Sequence, residues 1–271
     1  MQLELTYIAP PSTLQPFVRE CYLMRADTGA VVRDEFYASG VCEVVFNAGL
    51  RFHRGERGRS AKLIGQIIAP LGAEVEGRGL SLGLVLTPRG ARALTGGSVA
   101  RFNDRAVPLV ELTSPALADA VVRALEHDDV GEALARVSGL FARRRGVCSA
   151  AGLEELAASL AHVDVQLEAG ASPAAPPVVP TLSARQLQRL YREYVGIPLA
   201  HYRRVRRFDR FLAALSRHPR EQLTDLAYAS GYYDQAHCIR EVRRISGLTP
   251  GRLRARERAF ASAYDGPPPR G

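Results

Sequence analysis

The stretch GYYDQAHCIREVRRISGLTP, residues Gly231 to Pro250, holds one helix between its own start and stop signals. Gly231 allows the positive φ of a tight turn, Asp234 is an N-cap, and Gly247 followed by Pro250 ends the run. At 100° per residue, Cys238, Val242 and Ile245 fall on one face. Gln235, Ala236, Ile239, Arg240 and Arg243 share another. Just upstream, Leu223, Leu226 and Ala227 mark a short helix, so the segment reads as helix, glycine turn, helix. Gln and Arg are side chains that read base edges, and Ile239 suits a thymine methyl. The spacing predicts a helix that lies in a DNA major groove.

A second such pattern lies upstream. Ser183 is an N-cap, and Leu187, Leu190, Tyr191 and Val195 recur at helical spacing until Gly196, which leaves Arg185, Gln188 and Arg189 on the other side. Between the two patterns runs a long helix, about 198 to 216, with Tyr202, Val205, Phe208, Leu212 and Leu215 inward. Arg203, Arg206, Arg207 and Arg210 are expected on its polar side. Charge follows the same division: residues 181–260 carry 17 Lys+Arg against 7 Asp+Glu, whereas residues 1–180 carry 18 against 20. Basic charge concentrated in this way suggests a polyanionic partner, because phosphate neutralisation releases counterions. The plainer reading is a solvated basic surface. Lys62 is the single lysine, and arginine makes the bidentate phosphate and guanine contacts that lysine cannot.

These residues also carry a family likeness. LSARQLQRLYREYVGIPLAHYRRVRRF together with LTDLAYASGYYDQAHCIREVRRISGLTPGRLR, over 182–254, closely resembles the DNA-binding domain of AraC/XylS-type transcription regulators, two helix-turn-helix units joined by a long helix. VCEVVFNAG and LVLTPRGARALTGGSVARFNDRAVPLVEL are similar to the cupin-related N-terminal domain of one branch of that family. The resemblance implies a first recognition helix at 184–195 with Arg185, Gln188 and Arg189 toward bases. It implies a second at 235–245 with Gln235, Ala236, Ile239 and Arg240 there. The implied partner is double-stranded DNA; RNA polymerase, a small-molecule effector and a homodimer are admitted, in an activator acting in the cytoplasm. No coiled-coil heptad supports the dimer. Two departures stand out. Where relatives have a helix just before LSARQ, this chain has SPAAPPVVP, so the first unit is expected to lack a regular supporting helix. Cys238 and Val242 replace large aromatics, so the second unit is expected to be underpacked.

The N-terminal half reads differently. FVRECYLMRA, VVRDEFYA, VCEVVFNAG, KLIGQIIA and LSLGLVL are short, β-branched and aromatic, separated by Gly and charge. They predict an antiparallel β sandwich or small barrel. A short helix from Pro88 to Gly96 and helices over 114–127, 131–145 and 152–163 make this half α+β, ahead of an all-α double helix-turn-helix domain. The expected organisation is an α+β sensing or dimerisation domain at 1–147, a helix and Pro-rich linker at 148–180, the DNA-binding domain at 181–260 and a disordered tail at 261–271. The run Arg143 to Arg145 reads as a solvated helix end.

Little points elsewhere. His53, His127, His162, His201, His218 and His237 show neither HxH nor HExxH spacing, so no metal or other cofactor is expected. Cys21, Cys42, Cys148 and Cys238 form no CxxC pair and read as reduced, mostly buried thiols. Neither a signal peptide nor a membrane-length apolar run is present, so no membrane partner is expected. No paired base and nucleophile appears in residues 1–150, which argues against an enzyme. The competing class is a small-molecule-binding or enzymatic barrel whose basic tail binds DNA without sequence specificity.

Overall fold

The computed structural model describes residues 2–52, 58–144, 150–168 and 182–263. The N-terminal part is α+β. Its strands β1 (Gln2–Ile8), β2 (Val18–Phe36), β3 (Glu43–Ala48), β4 (Arg59–Ile64), β5 (Leu71–Leu86) and β6 (Ala106–Pro108) form one sheet of order β1-β2-β5-β3-β4-β6. Every pairing is antiparallel, with Cys21 opposite Leu84 and Val44 opposite Leu84 and Leu63. Strand alternation gives two apolar faces. Cys21, Leu23, Val44, Phe46, Leu63, Leu82 and Leu84 face helices α2 (Pro115–Glu126) and α3 (Val130–Arg143). Leu3, Leu5, Met24, Ala26 and Val75 gather with Leu50 on the opposite face.

The sequence reading missed β1 and split β2 in two at its Thr28–Val32 irregularity. Helix α1 (Pro88–Thr95) follows β5 with Pro at its start and Gly96 at its left-handed C-cap. Of the arginine run, Arg143 is exposed, but Arg144 is not a solvated end. Its guanidinium donates to the carbonyls of Ala93, Leu94 and Leu112, tying the end of α3 to α1. Cys21 and Cys42 are buried free thiols, and burial pushes both up to about 12. Cys148, His53, the Pro-rich stretch 170–180 and residues 264–271 lie outside the described residues.

The C-terminal part is all α: α4 (Ala150–Glu168), α5 (Ala184–Leu190) running into a π-helical turn (Tyr191–Val195), α6 (Leu199–Arg217), α7 (Leu223–Ala229), α8 (Gln235–Ser246) and α9 (Pro250–Ala263). They enclose one core with Leu156, Val163, Tyr191, Val205, Phe208, Phe211, Leu226, Val242 and Leu253. The expectation that the first unit lacks a supporting helix is not met. Helix α4 lends Leu156, Val163 and Leu167 to the core, and Ser159 Oγ meets Tyr191 Oη at 3.2 Å. The prolines all follow α4, so they displace the supporting helix upstream without breaking it.

The expected underpacking has a visible counterpart. A cleft of about 130 Å³ lies between α7, α8 and the start of α9, lined by Leu223, Gln235, Cys238, Ile239, Thr249, Pro250 and Gly251. Filling such space with apolar atoms stabilises by about 1 kcal/mol, or about 2–4 °C in Tm for a chain of this size. Cys238→Leu should therefore raise the melting temperature by that amount in a thermal unfolding scan. A lower Tm would mean that the site has no room for the larger side chain.

Candidate nucleic-acid interface

Each helix expected to read DNA is built by local chemistry. In α5, Ser183 Oγ accepts the Gln186 N–H at 3.3 Å and Gln186 Oε1 accepts the Ser183 N–H at 2.9 Å, a reciprocal capping box. Leu187 and Leu190 turn inward, while Arg185, Gln188 and Arg189 are exposed. Beyond Leu190 the helix widens into the π turn, closed by the Gly196 N–H donating to the Tyr191 carbonyl at 2.9 Å with Gly196 at φ +94°. The segment expected as one helix over 184–195 is thus α-helical only to Leu190.

In the second unit Gly231 makes the turn at φ +87°. Asp234 Oδ1 accepts the His237 N–H at 2.6 Å and starts α8. His237 is structural: its Nδ1 accepts the Tyr233 N–H at 3.3 Å and its ring meets Tyr232 edge-on. Cys238, Val242 and Ile245 are buried, and Gln235, Ala236, Arg240 and Arg243 are exposed. Ile239 is half-buried because it also borders the cleft beside Cys238. Among the described residues, Arg185, Arg189, Arg240 and Arg243 take part in no ion pair. Arg244, one position on, is held by Glu241 at 3.2 Å.

The arginines of α6 correct the sequence reading. Arg203 and Arg207 are 9% and 4% exposed. Arg203 donates to Gln166 Oε1 at 2.6 Å, Arg207 lies over the Tyr232 ring at 6.0 Å, and Arg206 reaches Asp164 at 3.0 Å and Asp209 at 3.4 Å. Helix α6 is surrounded by α4, α7, α8 and α9, so much of its polar side is interior as well, while Arg204 and Arg210 stay half-exposed. Burial lowers the pKa of Arg203 and Arg207. Two tyrosines, Tyr228 at 55% and Tyr233 at 79% exposure, stand beside the α7–α8 turn; the sequence reading has Tyr233 partly exposed and Tyr232 packed under the turn, and passes over Tyr228. Tyr228 was readable in principle, since it falls off the Leu223, Leu226, Ala227 face. Among the described residues no group of three His, Cys, Asp or Glu side chains is placed to hold a metal ion, and no helix is long and apolar enough to cross a membrane.

Two capped helix pairs joined by a buried helix, each presenting Gln and Arg side chains to solvent, define a helix-turn-helix DNA-binding regulator. Residues 181–256 match the family described as "Helix-turn-helix domain". Residues 6–108 match "Domain of unknown function (DUF6597)". The C-terminal domain is an AraC-type helix-turn-helix domain. No curated protein matches it in sequence. Among solved structures it is similar to ToxT from Vibrio cholerae O395, at 11% identity and TM-score 0.45 over 89% of this chain and 98% of that one. Wild-type ToxT from Vibrio cholerae strain SCE256, described as bound to unsaturated fatty acid, gives 11% identity and TM-score 0.40 over 85% and 97%.

One buried group makes the domain pH-sensitive. Burial pushes the Asp209 carboxyl up from 3.8 to about 7, although Arg206 and, more distantly, Arg19 pull it down; Asp164 adds to the rise. The folded state thus holds this proton more tightly than the unfolded chain. Its contribution is full below the unfolded value and is lost as pH rises through about 7. Tm should fall between about pH 4 and about pH 7, and Asp209→Asn should flatten that fall. An unchanged slope in the variant would assign the titration to another group.

Proposed function

We propose that this protein regulates transcription by placing α5 and α8 in successive major-groove segments of double-stranded DNA. Arg185, Gln188 and Arg189 read the first segment, and Gln235, Ala236, Ile239, Arg240 and Arg243 read the second. The observation that carries the reading is the arrangement of these eight side chains. They lie on the solvent sides of two helices, each anchored by a buried face, and their arginines are engaged by no acidic partner. Arginine and glutamine at such positions match guanine and adenine edges, while further arginines supply salt-dependent phosphate contacts.

The N-terminal domain is the place for a small-molecule effector. Asn47 and Ser81 sit opposite each other on β3 and β5, are 3% and 0% exposed, and leave Asn47 Oδ1 and Ser81 Oγ without a protein hydrogen bond. Polar atoms buried in that state are costly unless something meets them. Activation through RNA polymerase, a homodimeric state and a cupin-related N-terminal fold belong to the same proposal and follow from the family resemblance alone; a non-enzymatic role and action in the cytoplasm belong to it on the sequence features given above.

Selection from a random duplex library by the full-length protein should yield a discrete motif. Arg240→Ala should weaken binding to that motif by about 1–3 kcal/mol and relax preference at one position. Arg189→Ala should do the same at a different position. Binding indifferent to sequence that only fades with added salt would sink the regulator reading and leave a basic tether.

A further inference from the structure

The two recognition elements end in different ways. The last carbonyls of any helix have no partner within it and must find one elsewhere. In α8 the chain solves this itself. Gly247 turns left-handed at φ +71° and its N–H returns to the Arg243 carbonyl at 2.9 Å, while Ser246 Oγ donates to Val242 O and accepts the Leu248 N–H. In the first unit Gly196 makes a similar return to the Tyr191 carbonyl, and further partners come from the other domain. Ser98 Oγ donates to Arg192 O at 3.3 Å, and Asn103 Nδ2 donates to Gly196 O at 2.9 Å. Arg92 of α1 lies over the Tyr194 ring at 5.5 Å.

The fit is close. A Cβ on Gly196 would stand 2.9 Å from Asn103 Oδ1, 3.2 Å from Gln66 Cγ and 3.4 Å from Val99 Cγ1. The loop that presents Asn103 is itself held. Asp104 sits left-handed at φ +52°, its N–H goes to Gln66 O, and its Oδ1 accepts the Ile68 and Ala69 N–H groups. Gly65 N–H is bonded to Arg105 O at 3.0 Å, which ties the same loop to the end of β4.

We propose that Asn103 and Ser98 are positioning residues for the first recognition helix: the N-terminal domain caps the π turn and so sets the direction of Arg185, Gln188 and Arg189. The second recognition helix carries its own cap and does not depend on this contact. Sequence choice by the first reading head therefore requires the N-terminal domain, and choice by the second does not. The proposal rests on the DNA-binding reading above and adds a division of labour to it.

The test uses the full chain and the motif it selects, with the two halves assigned by Arg189→Ala and Arg240→Ala. Affinity is measured for the selected duplex and for duplexes scrambled in either half. In the wild type either scramble should cost about tenfold or more, as for the loss of a base contact. In Asn103→Ala the first-half scramble should cost less than about threefold, with the second-half cost unchanged. Ser98→Ala, a milder deletion, should move the same way and serves if Asn103→Ala does not fold. Amide exchange gives a readout without DNA: the amides of Tyr191 to Gly196 should exchange faster in either variant, and those of α8 should not. Retention of both halves' discrimination, or equal loss of both, overturns the proposal, as does unchanged exchange in the π turn. A wild type that selects no motif, with exchange changed as expected, overturns the DNA reading and the half-site division and leaves the cap itself standing.

Discussion

Helix α6 is wrapped on several sides, with Val205, Phe208 and Phe211 fully buried, and it carries arginines into that interior. A guanidinium without a partner in such a place costs several kcal/mol, so each needs a specific neighbour. The neighbours lie on different elements: Gln166 and Asp164 on α4 for Arg203 and Arg206, and the Tyr232 ring at the α7–α8 turn for Arg207. The set thereby specifies which element packs where. Apolar burial alone would tolerate α4 sliding along α6, since Leu and Val side chains have no directional demand. The Asp164–Arg206 and Gln166–Arg203 bonds remove that freedom. The N-terminal domain joins the same hub, with Tyr37 edge-on to Phe208 at 5.6 Å and stacked under Arg256 of α9, and Gly40 against Tyr202.

Helices α5 and α8 were legible because their ends and faces are set within a dozen residues. Asp234, Gly231, Ser183 and Gly196 act on backbone groups close by, and the 3.6-residue period sorts Arg185 from Leu187 and Arg240 from Val242 without knowledge of the rest of the fold. The same argument failed on α6 for a physical reason. A helical wheel assigns arginines to water by assuming one broad solvated face, and a helix wrapped on several sides keeps only a narrow one, on which Arg204 and Arg210 lie half-exposed. Arg144 misled in the same manner, since its three carbonyl partners lie on segments some 30 to 50 residues away. Strand β1 alternates apolar and polar residues over Gln2–Ile8 and was visible in principle; what makes it a strand is its pairing with β2, and pairing is not a local property. The caps from Ser98 and Asn103 left no pattern to find, because they arise from the meeting of two domains.

That meeting bears on how such a protein is controlled. Coupling between two sites is a free energy and acts both ways. If the cap from Asn103 and Ser98 holds the π turn, anything that moves the Val99 to Asp104 loop changes the first reading head. Equally, DNA that favours the held geometry of α5 strengthens the domain contact. No long chain of intervening residues is needed. One side chain separates the loop from the Gly196 carbonyl, and Gly196 closes the turn that continues directly into the helix bearing Arg189.

On the proposed reading, the asymmetry also gives one chain a use for two similar units. A self-capped α8 keeps its geometry whatever the N-terminal domain does, and so anchors the protein on DNA at a constant level. A head capped from outside contributes only when the domains are docked. The difference between the two states is then the reading energy of a single head, which is enough to change occupancy at an operator while leaving the protein associated with DNA. Two heads independent of the N-terminal domain would bind well and respond to nothing, and two heads dependent on it would release the DNA altogether when the domains part.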